Sequence, residues 1–167
     1  MGIFSFIKEA GQKVFGKDKE EAEKPTERTE SSQEKAERQN AKAASRLEST
    51  IRDLKLKVDN LNIKIEKDQA TVSGKAADQS TREKVVLVVG NTQGIAKVDD
   101  RLEVDKKEQE ASYHTVETGD NLSKIAKQHY GDANKYPVIF EANKPMLTDP
   151  DKIYPGQVLR IPPLENI

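Results

Sequence analysis

Tyr113-His114-Thr115-Val116-Glu117-Thr118-Gly119-Asp120-Asn121-Leu122 carries a strand, a turn and the opening of a helix in one short run. Tyr113 to Val116 is rich in aromatic and β-branched residues, as strands are, and Thr118-Gly119-Asp120 is turn chemistry. Leu122, Ile125, Ala126 and His129 then fall on one helical face, which Gly131 stops. A second helix follows, burying Tyr136, Ile139 and Phe140, with Pro137 in its first turn and Asn143 placed for a left-handed C-terminal position. Tyr154-Pro155-Gly156-Gln157 fits a type II turn, because Gly stands where φ must be positive. Val158 to Ile161 is the closing strand, so residues 112–163 read as β-α-α-β.

Upstream, the charged residues 106–111 form a linker, and residues 40–105 read as a second small domain. Ala43, Leu47, Ile51 and Leu54 set a helical stripe from about Ser32 to Leu56. Leu61, Ile63 and Ile65, then Ala70 and Val72, alternate with polar residues and predict a hairpin with one wet face. Ser80-Thr81-Arg82-Glu83 has the capping-box pattern ahead of Val85 to Val89, and Gly90 is positioned to end that helix in a left-handed conformation. Val98, Leu102 and Val104 predict a last strand, giving α-β-β-α-β. The chain is therefore an α+β protein of two small domains.

At the N-terminus, Ile3, Phe4, Ile7, Ala10, Gly11, Val14 and Phe15 recur at helical spacing, so residues 1–16 are expected to form a short amphipathic helix docked on a neighbouring core. Residues 17–39 are charged and nearly free of aliphatic side chains, and are expected to act as a flexible tether.

Charged residues make up 34% of the 167 residues, and the formal net charge is −1, so no basic field points to nucleic acid. The chain has no cysteine, which removes disulfides, thiolate metal sites and a Cys nucleophile. No apolar run reaches the length of a transmembrane helix. The opening residues lack a basic start and a cleavage site, and Phe6 stands where a myristoylation signal wants Ser or Thr; a cytoplasmic location is expected.

Catalysis finds no support. His114 and His129 are the two histidines, and without a third imidazole or a thiolate they are expected to serve packing or surface roles. Adjacent acids such as Asp99-Asp100 point to opposite faces of a strand, and Asp149 and Asp151 read as caps or solvated charge. Neither a Walker loop nor a dinucleotide fingerprint is present. A non-enzymatic binding protein is expected, acting as a monomer and without an organic cofactor.

Two family resemblances sharpen this. The run from Tyr113 to Leu122, with Ile153-Tyr154-Pro155-Gly156-Gln157-Val158-Leu159-Arg160-Ile161-Pro162, resembles the LysM signature at both ends. The α-β-β-α-β order, with Gly74, Gly90, Gly94 and Ile95-Ala96-Lys97-Val98-Asp99-Asp100, resembles the BON domain. LysM resemblance implies a peptidoglycan or N-acetylglucosamine groove formed by Gly119, Asp120, Asn121 and Leu122 on one side and Pro150, Asp151, Ile153 and Tyr154 on the other. Asn121 replaces the Thr common in that family, while keeping a polar cap.

A chain opening Met1-Gly2-Ile3-Phe4-Ser5-Phe6-Ile7-Lys8-Glu9-Ala10-Gly11 and combining BON with LysM resembles the bacterial family of cytoplasmic potassium-binding proteins. That resemblance implies a K⁺ sensor of stress adaptation whose ion orders the domains. Backbone carbonyls suit K⁺, whose weakly held water shell they can replace, whereas carboxylate clusters suit Ca²⁺ or Mg²⁺. The carbonyls implied are those of Ile7 and Ala10 from the opening segment and of Gly90, Thr92 and Ile95 from the turn after the second helix. Peripheral lipid binding through the N-terminal stripe is the remaining alternative.

Overall fold

The computed structural model describes residues 2–7, 12–13 and 32–164. Its elements are β1 (Gly2–Ser5), β2 (Gln12–Lys13), α1 (Ser32–Asp53), β3 (Val58–Glu66), β4 (Gln69–Ala76), α2 (Gln79–Gly90), β5 (Thr92–Gln93) and β6 (Lys97–Glu103). After the linker come β7 (Ser112–Thr115), α3 (Leu122–Tyr130), a short 3-10 turn (Ala133–Lys135), α4 (Tyr136–Ala142) and β8 (Val158–Ile161). The α+β class and both domain orders follow the sequence reading.

In the first domain the sheet order is β1-β6-β4-β3. The hairpin β3–β4 is antiparallel, and β4 and β6 run parallel, a pairing that needs a crossover, here α2. Alternation places Ile63, Ile65, Ala70, Val72 and Val98 on the buried face, where α1 contributes Ala43, Leu47 and Ile51 and α2 contributes Val85, Val86 and Val89. Helix α1 begins at Ser32, as its stripe predicts, so residues 32–39 at the end of the expected tether are helical, and they are exposed.

The N-terminal helix is corrected. Residues 2–5 form a strand antiparallel to β6, with Phe4 opposite Val98. Phe4 and Phe6 turn in against the core while Ile3 and Ile7 are 69% and 50% exposed. Alternation at a period of two therefore overrides the weaker helical spacing, and Phe4 leaves the stripe proposed for lipid. Ala10, Gly11, Val14 and Phe15 lie outside the described residues, as do residues 17–31.

In the second domain β7 and β8 pair antiparallel, with α3 and α4 packed around Leu122, Ile125, Ala126, Ile139 and Leu159. Gly131 takes the left-handed position after α3. The type II turn is present: Gly156 has φ +87°, and the Gln157 N–H donates to the Tyr154 carbonyl at 3.1 Å. Asn143 departs from expectation, since its φ is −104°. Its side chain instead donates to the carbonyls of Ile139 and Arg160 and accepts from the Arg160 N–H, so it joins α4 to β8.

Candidate functional site

Helix α2 begins and ends differently from its sequence signals. Asp78 is the N-cap, accepting from the Thr81 N–H at 2.7 Å, so the Ser80–Glu83 capping box is not used. Gly90 lies within the helix, and Asn91 caps it with φ −77°. Glycine is required there by crowding rather than by backbone conformation: a Cβ on Gly90 would sit 2.0 Å from Cζ of Phe6. The first described segment is thus seated directly on the end of α2.

Around that end, the turn of residues 90–95 is gathered by short contacts. The Asn91 N–H donates to the Leu87 carbonyl at 2.9 Å and the Ile95 N–H to the Thr92 carbonyl at 3.2 Å. The Thr92 hydroxyl donates to the Val88 carbonyl at 3.0 Å. Thr92 and Ile95 are buried. The Phe6 N–H donates to the Ala96 carbonyl at 2.7 Å, which sets Ile7 beside the turn. Gln12 pairs with Thr92 and Lys13 with Gln93 in a parallel ladder. Phe6 and Gln12 therefore both flank the turn. Ala10 lies between them, outside the described residues.

No acidic side chain occurs in residues 90–95, while a helix C-terminus offers carbonyl dipoles carrying partial negative charge.

The same helix grips the second domain. The Asn91 amide donates to the Val158 carbonyl at 2.8 Å and accepts from the Val158 N–H at 2.8 Å. Glu83, 3% exposed, accepts from Gln79, from the Ala111 N–H and from the Arg160 guanidinium. In its ion pair with Arg160, Glu83 is buried and Arg160 largely so. Phe4 meets Tyr113 edge to face, with centroids 5.4 Å apart, and burial pushes the Tyr113 hydroxyl up. These contacts depend on residues far apart in the chain, and the sequence reading uses Glu83 only for a local helix cap.

The two glycan-type loops leave the same end of the β7–β8 ladder, where Thr115 faces Val158. On one side Asn121 caps α3, accepting from the Lys124 N–H at 2.8 Å. The Gly119 carbonyl accepts from Lys124, and Leu122 is 2% exposed, so it belongs to the core rather than to a groove wall. Pro150, Ile153 and Tyr154 are half-buried and Asp151 is exposed on the other; burial raises the Tyr154 hydroxyl.

Asp120 holds its own turn through the Glu117 N–H at 2.9 Å. It also meets His114 Nε2 at 3.1 Å, and His114 Nδ1 lies 3.1 Å from Nε2 of His129. Sequence spacing had given no reason to join these histidines. Asp99 and Asp100 do face opposite ways, toward Arg101 and Arg82 respectively.

Comparison with known proteins is consistent with this architecture. A BON domain model matches residues 39–106, and a LysM domain model matches residues 114–162. The potassium binding protein Kbp of Escherichia coli O6:H1 is 44% identical across 97% of this chain and 99% of its own length. An uncharacterized protein of Deinococcus radiodurans is 51% identical over 49 residues, 29% of this chain and 19% of that protein.

Proposed function

We propose potassium binding as this protein's activity, from the premise that the chain belongs to the family of the potassium binding protein Kbp, a BON domain followed by a LysM domain. The observation that carries the reading is the packing of Phe6 on Gly90 together with the pairing of Gln12 with Thr92. It brings a second segment of the chain to the C-terminal end of α2. Carbonyls of Gly90, Thr92 and Ile95, joined by those of Ile7 and Ala10, would replace the water shell of K⁺. A smaller, more tightly hydrated ion loses more on dehydration, which favours K⁺ over Mg²⁺.

Binding at this turn would also order the domains. The turn touches the N-terminal segment through Phe6 and the LysM domain through Asn91. An ion holding the turn in one geometry favours both dockings, which is the physical content of a sensor. The proposed setting is the cytoplasm, with the ion-bound arrangement as the signal.

Thermal melts in matched KCl and NaCl test this. A ligand bound only by the native state stabilises by about 2.7 kcal/mol at a hundred times its Kd, so the midpoint should rise in K⁺. Equal midpoints, with unmoved amides at Gly90, Thr92 and Ile95, would overturn the proposal.

A second reading is supported by the loops at 117–122 and 150–154 leaving one end of the β7–β8 ladder. They would receive an N-acetylglucosamine oligomer. Titration with a chitooligosaccharide should then shift amides at Asp120 and Ile153 and leave residues 90–95 unmoved; no shift at Asp120 and Ile153 would exclude it.

A further inference from the structure

His114 on β7 and His129 near the end of α3 are 15 residues apart, yet Nδ1 of one faces Nε2 of the other at 3.1 Å. Their rings stand nearly perpendicular, at 89°, with centroids 5.2 Å apart. We propose that these two nitrogens form a divalent transition-metal site of the Zn²⁺, Ni²⁺ or Cu²⁺ class, with Asp120 as the carboxylate that orients His114 from behind.

Distance supplies the first argument. Nitrogens about 2.0–2.1 Å from one zinc lie roughly 2.9 to 3.4 Å apart, depending on whether the angle at the metal is nearer a right angle or tetrahedral. The observed separation falls in that interval. Imidazole is also the donor that this class of ions prefers.

Orientation supplies the second. Asp120 lies 3.1 Å from His114 Nε2, and a carboxylate there accepts a hydrogen bond, so the proton sits on Nε2. Nδ1 is then a lone pair directed at His129. A carboxylate behind a histidine, fixing its tautomer and aim, is the usual outer partner of a metal-bound imidazole. Asp120 is itself fixed by the Glu117 N–H at 2.9 Å. His129 needs only its Nδ1–H tautomer to turn a second lone pair inward, so no net proton is lost from the neutral pair.

Accessibility supplies the third. His129 is exposed and borders an open hollow of about 350 Å³ lined also by Glu110, Ser112, Tyr130 and Pro162. No group of three His, Cys, Asp or Glu side chains able to hold an ion occurs among the described residues. The protein thus supplies two ligands, and water or a donor from another molecule completes the shell.

The test is titration of Zn²⁺, and separately Ni²⁺, into the full chain in potassium buffer, read by imidazole-ring NMR and calorimetry. One equivalent should perturb both rings. His129→Gln, at an exposed position, should abolish saturable binding with an unchanged circular dichroism spectrum. Asp120→Asn should weaken affinity by about 10- to 100-fold, as loss of an outer carboxylate does, while Mg²⁺ should leave the rings unmoved. Unperturbed rings at saturating Zn²⁺, or identical binding by His129→Gln, would overturn the proposal.

Discussion

Asn91 closes helix α2 of the BON domain with its backbone and pairs with the backbone of Val158 in the LysM domain with its side chain, donating and accepting at 2.8 Å each. The amide mimics a neighbouring strand at the start of β8. One residue therefore belongs to the candidate ion turn and to the domain interface together.

Asn91→Ala should loosen the interface, because the Val158 N–H and carbonyl lose their partner in a half-buried setting. Each unsatisfied buried group costs about 1–3 kcal/mol. Denaturant unfolding should show the loss, and amide exchange at Val158 should accelerate. On the proposal that K⁺ bound at residues 90–95 favours the docked interface, loosening that interface should also weaken K⁺ binding, which a K⁺ titration of the variant reads. Unaltered exchange at Val158 would show that the amide contact contributes little.

Glu83 and Arg160 give a second reading of the same interface. Glu83→Ala leaves the Arg160 guanidinium buried without a counter-charge, and removal of one partner from such a pair costs about 3–5 kcal/mol. A paired Glu83→Leu and Arg160→Met replacement should recover much of that, since a buried pair barely repays its desolvation. The coupling energy from the double-mutant cycle measures the pair. Additive losses would mean that Gln79 and Ala111, the other partners of Glu83, dominate.

Most of the architecture was legible because its signals are local and repeated. The stripe Ala43, Leu47, Ile51 gives α1, strict alternation gives β3 and β4, and Pro155-Gly156 specifies its turn. What misled were residues with two uses. Ile3, Phe4 and Ile7 fit a helix, but Phe4 and Phe6 fit a strand, and the open edge of β6 decides for the strand. Glu83 fits a capping box until Arg160 claims it, and Gly90 fits a left-handed cap until Phe6 fills the space a Cβ would need. In each case a partner distant in sequence outweighs a preference worth about 1 kcal/mol. The histidine pair was invisible for the same reason, since only the packing of α3 on β7 brings the rings together.

Gly90→Ala sets helix propensity against that packing. Alanine is favoured by about 1 kcal/mol within a helix, but its Cβ would overlap the Phe6 ring at 2.0 to 2.3 Å. Overlap on that scale cannot be absorbed in place, so Phe6 should be expelled. The Phe6 N–H, bonded to the Ala96 carbonyl, should then exchange faster, and the variant should be less stable. With Phe6→Ala already present the clash disappears, and adding Gly90→Ala should become neutral or stabilising by about 1 kcal/mol. The same loss in both backgrounds would show that crowding by Phe6 is not what keeps glycine here.

Acid should weaken the LysM domain in two steps whose signs agree. Burial, then the neighbouring His114, lowers the His129 pKa from its ordinary 6.5, so the fold favours the neutral ring. That contribution is complete above the unfolded pKa and disappears as pH falls from 6.5 through the depressed folded value. The Glu117 N–H, then the His114 hydrogen bond, holds the Asp120 carboxyl below its usual 3.8; its contribution is present above 3.8 and is lost as pH falls through its own folded value. His129 is exposed and Asp120 is partly so, so each step should be small. The Tm should fall slightly from about pH 7 to about pH 5, the range in which histidine titrates. His129→Gln should flatten that portion while leaving the lower, carboxylate step in place. An unchanged slope in His129→Gln over that range would assign the acid sensitivity to groups other than this pair.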